Sequence, residues 1–282
     1  MNSGVHYKNG DWLGAEDISL SVFDLAVTRG IAVFDYLRTY DKKPFMLKEH
    51  YQRLFNSMKI LRIEAPIRPD ELTEIIDSGI KKNYRFKDLG IRIIITAGVS
   101  PKAGSLIAGK PTLIVLFEEY EKPSNTWYEN GLRLKTINSV RVLPRAKTAD
   151  YKLAFIGMNQ AEGSGVDDIL YIDEQNNILE SSTSNIFCVK NNVLLTPKNN
   201  ILKGVTRQVV IDIAKGEGID VRIQDITLSE AFNCEEVFVT ATNKGIVPVG
   251  YINSQKIGQS IPGEITSALQ SELKKFIKHK IQ

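Results

Sequence analysis

LESSTSNIF, residues 179–187, is the stretch on which the reading of this chain turns. It sets one carboxylate, Glu180, against four small hydroxyl residues, Ser181, Ser182, Thr183 and Ser184, and ends in strand-forming apolar residues. Such a run gives a narrow polar shelf with little bulk, suited to close approach of a flat ring. Three other segments complement it. RAKTADY (145–151) sets a lysine among small neighbours, ILKGVTRQVVI (201–211) has a glycine turn opening a helix, and VFVTATNKG (237–245) is a Thr-rich strand end. A lysine nucleophile, a carboxylate, a helix N-terminus and hydroxyl groups are together the parts needed to hold and use a phosphorylated aldehyde.

The rest of the chain is consistent with an ordinary globular enzyme. It has 282 residues, 43% apolar and 24% charged, enough for one large or two moderate domains with a real core. The net charge of +3 comes with no dense Lys/Arg block, so no nucleic-acid partner is expected. The Lys-rich KKFIKHK near the end lies on a helical pattern and reads as a solvated helix end. Cys188 and Cys234 show no metal or redox spacing and read as small hydrophobes in a reducing compartment. MNSGVHYKNGDW has no apolar signal core, and no apolar run approaches membrane length. The expectation is a cytoplasmic protein with no membrane partner and no metal.

An Asn9-Gly10 turn in VHYKNGDWL predicts a hairpin. AVFDYLRTY (32–40) and KPFML (43–47) predict a second strand pair around Asp41-Lys42. KEHYQRLFNSMKIL (48–61) predicts a helix with Leu54, Phe55, Met58 and Leu61 on one face. PDELTEIIDSGIKKN (69–83) predicts another, with Pro69 in its first turn and Leu72, Ile75, Ile76 and Ile80 inward. In GIRIIITAG (90–98) Ile91, Ile93 and Ile95 share one strand face, and Arg92, Ile94 and Thr96 the other. TLIVLFEEY (112–120) predicts another strand, and the charged EEYEKPSN (118–125) reads as a linker. Beyond it strands dominate, broken by helices at about 149–163, 206–217 and 263–279, with turns at Asn176-Asn177 and Asn191-Asn192, a barrel-like pattern. The expected class is α+β: a small N-terminal domain over 1–119, a linker over 120–126 and a larger strand-rich, pseudo-barrel C-terminal domain over 127–282.

RAKTADY, LESSTSNIF, ILKGVTRQVVI and VFVTATNKG, with EHYQR at 49–53, resemble the class IV (fold type IV) pyridoxal-phosphate transaminases. That family contains D-amino-acid and branched-chain aminotransferases, aminodeoxychorismate lyase and some amine transaminases. The resemblance covers almost the whole chain and is strongest from Lys147 onward. It implies a transaminase using pyridoxal 5′-phosphate, with amino acids and 2-oxo acids as substrates. It also implies a homodimer, because in this family a neighbouring subunit's loop completes the site.

The resemblance assigns the residues. The family's catalytic lysine stands about one helix upstream of the glutamate, and Lys147 precedes Glu180 by 33 positions. A loop lysine is ordinarily a surface lysine, and a free one is neutral only roughly once in a few thousand at pH 7. Burial beside other cations corrects that. Lys152, the rival, falls inside the helix that follows. Glu180 matches the partner of the cofactor's ring nitrogen, where a buried carboxylate keeps the nitrogen protonated, and Ser184 belongs to the same shelf. Val205 and Thr206 match phosphate ligands at a helix N-terminus. Leu202 matches the wall against the ring, Thr242 a second hydroxyl ligand, and Arg53 the arginine that pairs with the phosphate. His50, one turn earlier, reads as a packing residue. Tyr151, four after Lys147, is a candidate partner for the ring hydroxyl.

The substrate end matches less closely. Branched-chain enzymes show a GGNY-like segment after the lysine where this chain has TADYK, yet VFDYLRTYD (33–41) resembles their VFEGIRCYD-like strand. D-amino-acid transaminases trap the carboxylate with an Arg-x-His pair after Ser-Pro. Here SPKAG puts Lys102 and Gly104 at those places, so Arg29 and Arg92 are the expected substitutes, with Arg38 and Lys102 in reserve. The likeness of ILKGVTRQVVI and EEVFVTATNKGIVPV favours a D-amino-acid transaminase, moving an amino group from a donor such as D-alanine to 2-oxoglutarate. The alternatives are a branched-chain L-amino-acid aminotransferase, an aminodeoxychorismate-lyase-like enzyme and, in another class, a non-catalytic pyridoxal-phosphate or phosphate-binding protein.

Overall fold

The computed structural model describes residues 4–282. The chain divides into two compact units, the first running to Glu121 and taking in Ala146–Asp150, the second comprising Lys122–Arg145 and Tyr151–Lys280. Lys147 therefore belongs to the first unit.

In the first unit Asn9 and Gly10, both with positive φ, join β1 (Val5–Lys8) to β2 (Asp11–Gly14), as their sequence predicts. The short helix α1 (Leu25–Arg29) is capped by the Asp24 side chain and ends at Gly30 in the left-handed region. Then come β3 (Ala32–Tyr40), β4 (Lys43–Pro44), α2 (Leu47–Leu61), α3 (Pro69–Lys82), β5 (Leu89–Thr96) and β6 (Leu113–Glu119). The sheet order is β2-β1-β6-β5-β3-β4. Ile91, Ile93 and Ile95 are fully buried in one core with Leu54, Met58, Leu72 and Ile76, so the alternation read in 90–98 holds. The helix faces rotate slightly from expectation. Phe55, Leu61, Ile75 and Ile80 are only partly buried, while His50, Ser57 and Gly79 are buried. Gly79 has a packing reason: a Cβ there would lie 1.9 Å from the Phe117 ring. The expected strand over 43–47 stops at Pro44, because Met46 turns into the left-handed region and α2 starts at Leu47.

The second unit contains α4 (Asn125–Asn130), β7 (Leu132–Asn138), α5 (Lys152–Gln160), β8 (Asp168–Ile172), β9 (Ile178–Ser181), β10 (Asn185–Lys190) and β11 (Val193–Thr196). There follow α6 (Val205–Gly216), β12 (Val221–Ile223), α7 (Leu228–Phe232), β13 (Glu236–Ala241), β14 (Gly245–Ile252), β15 (Gln255–Lys256) and α8 (Glu264–Lys280). The sheet runs β12-β11-β10-β13-β14-β7-β8-β9, and β9 also pairs with β10 through Asn185 and Glu180. The path β10-β13-β14-β7-β8-β9 thus returns on itself, which is the barrel-like arrangement the strand spacing predicts. The helix expected over 149–163 spans only Lys152–Gln160, and the stretch before Lys147 forms turns. There Arg141 Nη2 donates to Pro144 O at 2.7 Å, a turn held by its own side chain. Cys188 and Cys234 are free, buried thiols in the barrel core. Among the described residues no helix is long and apolar enough to cross a membrane.

Candidate active site

In the first unit the chemistry gathers on one face of α2. His50, Arg53 and Ser57 fall at helical spacing, which puts them side by side. Asp35 meets them from β3, on the same strand face as the core residues Val33 and Leu37. Arg53 Nε donates to Asp35 Oδ2 at 2.8 Å and Arg53 Nη2 to Oδ1 at 2.7 Å, and His50 Nδ1 lies 2.7 Å from Oδ1. Burial alone would raise the Asp35 pKa, but Arg53 and His50 hold the carboxyl well below the usual carboxylate range. For His50 burial is the largest cause and lowers the pKa, against the opposing pull of the Asp35 carboxylate beside Nδ1. Ser57 Oγ donates to Arg53 O at 2.9 Å and accepts from the Lys147 backbone N–H at 3.0 Å.

Lys147 is half-buried. Its backbone is clipped to β3: Phe34 N donates to Lys147 O at 2.9 Å, and Ala149 N donates to Ala32 O at 3.1 Å. Its Nζ lies 4.5 Å from the Phe34 ring centroid. Arg92 lies 5.7 Å from the Phe34 centroid and 5.7 Å from that of Tyr36, so two rings flank it. The Tyr36 hydroxyl sits over Gly90, where a Cβ would come within 2.3 Å of it, and burial pushes its pKa up to about 12. Arg29 is exposed at the end of α1 and donates to its neighbour's carbonyl, Thr28 O, at 2.8 Å. Lys102 and Gly104 are exposed, and Arg38 is sandwiched by the Tyr120 ring at 3.3 Å and the Tyr40 ring at 4.0 Å.

In the second unit Glu180 is the hub. It is 5% exposed at the end of β9. Its Oε1 receives Arg141 Nε at 2.8 Å and Nη2 at 2.7 Å, and its Oε2 receives the Leu202 amide at 2.9 Å and Asn185 Nδ2 at 3.3 Å. A carboxylate so furnished is an anion held in place. Asn185 Nδ2 also donates to Leu202 O at 2.7 Å, tying the wall segment to the strand pair. Gly204, the N-cap of α6, packs so closely that a Cβ would fall 2.0 Å from Asn185 Oδ1. No side chain caps that helix and no acidic residue stands in its first turn, where Val205 and Thr206 are buried. The hydroxyls of Ser181, Ser184 and Thr240 are buried with no hydrogen-bond partner among the described residues. Thr242 is half-buried in the turn between β13 and β14, and Tyr151 is half-buried at the start of α5.

Three participants escaped the sequence reading. Arg141 and Arg207 are half-buried and buried arginines; Arg207 binds Thr196 Oγ1 and Pro197 O, both at 3.0 Å. Lys244 is 7% exposed, with its pKa lowered by burial and its Nζ 3.3 Å from Thr183 Oγ1. Arg141, six before Lys147, and Arg207, inside the quoted helix opening, were legible as cations near the motifs. Lys244 lies inside the quoted VFVTATNKG segment, where nothing local marks it as buried.

Residues 32–252 match the family described as class IV amino-transferases. Among similar proteins is a "putative branched-chain-amino-acid aminotransferase" of Methanocaldococcus jannaschii, 36% identical over 277 residues and covering 95% of this chain and 94% of the relative. A D-alanine aminotransferase of Staphylococcus haemolyticus is 28% identical over 281 residues, covering 96% and 97%. Among solved structures, the T.th. branched-chain amino acid aminotransferase with pyridoxamine 5′-phosphate superposes with a TM-score of 0.92 at 28% identity, covering 99% and 96% of the two chains. The chain belongs to the class IV aminotransferase family and has the fold type IV architecture. It is a pyridoxal-phosphate-dependent aminotransferase, an enzyme rather than a passive phosphate binder, working on amino acids and 2-oxo acids.

The residues present fit that cofactor. Partnerless buried hydroxyls, an uncapped helix N-terminus and a buried anionic Glu180 are what a phosphate and a protonated ring nitrogen require.

Proposed function

We propose that the enzyme transfers the amino group of a branched-chain L-amino acid to 2-oxoglutarate. The observation that carries this reading is the 36% identity to the putative branched-chain enzyme along nearly all of both chains. The exposed Lys102 and Gly104 support it, since the Arg-x-His trap of D-amino-acid transaminases has no counterpart there. The second reading is the D-alanine transaminase expected from the motifs. It is favoured by the full-length similarity to the staphylococcal D-alanine enzyme.

In either reading Lys147 anchors the cofactor's aldehyde end and carries the substrate's α-proton. Bound pyridoxal 5′-phosphate supplies the amino-accepting aldehyde and an electron-withdrawing ring. Glu180, backed by Arg141, keeps the ring nitrogen protonated. Leu202 walls the ring and Tyr151 meets its hydroxyl. Arg53, Ser184, Val205, Thr206 and Thr242 hold the phosphate side. Arg92, beside Phe34 and Tyr36, receives the substrate carboxylate, with Arg29 as the second cation.

The small domain spans residues 1–119, the linker 120–126 and the cofactor-binding domain 127–282. The working form is a homodimer. The exposed apolar residues Val22, Phe23 and Val27, set beside exposed Val99 by the Asp24–Val99 bridge, support that assembly. The two free buried thiols suit a reducing, cytoplasmic setting.

The test is a panel of L- and D-amino acids in half-reactions, followed by the cofactor's absorbance. Rapid loss of the yellow form with L-leucine, L-isoleucine and L-valine and none with D-alanine supports the first reading. The reverse pattern establishes the second.

A further inference from the structure

We propose that Asp35 is the positioning residue for the cofactor's phosphate: it fixes the plane of Arg53 and so aims that cation, acting through orientation and not through charge. The inference rests on the assignment of Arg53 to the phosphate.

Asp35 is 0% exposed on the strand face that carries the core residues Val33 and Leu37. A carboxylate there is costly unless every lone pair is used. It accepts from Arg53 Nε, Arg53 Nη2 and His50 Nδ1, and its own Oδ1 also takes the Tyr36 backbone N–H at 2.8 Å. The two bonds from Arg53 form a fork that sets both direction and plane of the guanidinium. A lysine could supply the same charge but not the fork. The frame extends further. Ser57 bonds to the Arg53 carbonyl and receives the Lys147 amide, and Phe34, next to Asp35, donates its amide to Lys147 O. Asp35 therefore stands at one end of a hydrogen-bonded frame that registers the arginine on the same scaffold as the lysine backbone.

Charge points the other way. Asp35 sets a carboxylate directly against the Arg53 guanidinium, with its two oxygens on Nε and Nη2. For a phosphate dianion, Asp35 is electrostatically unfavourable. Replacing it with asparagine makes the group more positive by one charge. If the site works by net attraction, that change tightens phosphate binding; if it works by orientation, it loosens it.

The readout is the affinity of cofactor-stripped enzyme for pyridoxal 5′-phosphate divided by its affinity for pyridoxal, which lacks the phosphate. The expected result is that Asp35→Asn lowers this ratio by about 10- to 100-fold, the worth of a charge-assisted hydrogen bond. Arg53→Lys, which leaves Asp35 with a charged partner should the asparagine variant not fold, lowers it by a similar factor. Thermal melting establishes that each variant is folded. An Asp35→Asn ratio equal to or above wild type, or an Arg53→Lys ratio equal to wild type, overturns the proposal. Arg53→Ala separates the two claims: an unchanged ratio there removes Arg53 from the phosphate and Asp35 with it.

Discussion

At the scale of single residues, the site is an exercise in holding charges where water is scarce. Glu180 is kept anionic by Arg141, and two further donors consume its lone pairs, so its position is fixed before any ligand arrives. Glu180→Gln fills the same space without the charge. It should retain cofactor yet slow turnover by about 100- to 1,000-fold, the usual loss when one preorganised electrostatic group is removed. Wild-type turnover in that variant would take Glu180 out of the ring-nitrogen role. The His50–Asp35 pair makes a separate prediction about stability. Burial lowers the His50 pKa, so below about pH 6.5 the unfolded chain binds a proton that the folded one refuses, and stability falls with acidification. Asp35, also lowered, extends the loss through the carboxylate range, because its contribution exists only while it is ionised. The urea midpoint should decline steadily as pH drops below about 6.5, and His50→Gln should flatten the upper part of that slope. His6, shifted down by burial as well, should preserve the remainder. A midpoint constant between neutrality and the carboxylate range would contradict this.

At the scale of elements, two short contacts set the seam where the proposed phosphate side forms. Gly204 lets α6 begin against Asn185, and Asn185 in turn reaches Glu180 and Leu202. Gly204→Ala should shift this seam, costing about 1–3 kcal/mol through overpacking and weakening cofactor retention more than it lowers the melting temperature. Cofactor retained at wild-type affinity would show that the seam is dispensable. Much of this element-level plan was legible in the sequence. The Asn9-Gly10 turn and the alternating isoleucines of β5 have purely local causes, and the structure bears each out. What stayed hidden depends on distant partners. β9 was read as a motif rather than a strand because its pairing with β8 and β10 is invisible locally. The turns before Lys147 are held by the side chain of Arg141. Asp35 looked like one polar residue in a strand, and only the fold brings α2's His50 and Arg53 onto it. The buried Lys244 is similar: its apolar and hydroxyl neighbours come from segments far away in sequence.

At the scale of the whole molecule, the exposed Phe23 and its apolar neighbours in the first unit are more than a lone surface hydrophobe. If the proposed dimer uses this face, Phe23→Glu should sediment as a monomer and show lower activity at assay concentration. Fully active wild-type monomer would remove the dimer from the account. The most direct test concerns the lysine around which both the family assignment and the proposed chemistry are built. Borohydride reduction of the holoenzyme, followed by peptide mapping, should place the pyridoxyl group on Lys147, and Lys147→Ala should fold normally without turning over. A pyridoxyl label on Lys152, on the buried Lys244 or on any other lysine would contradict the account at its centre.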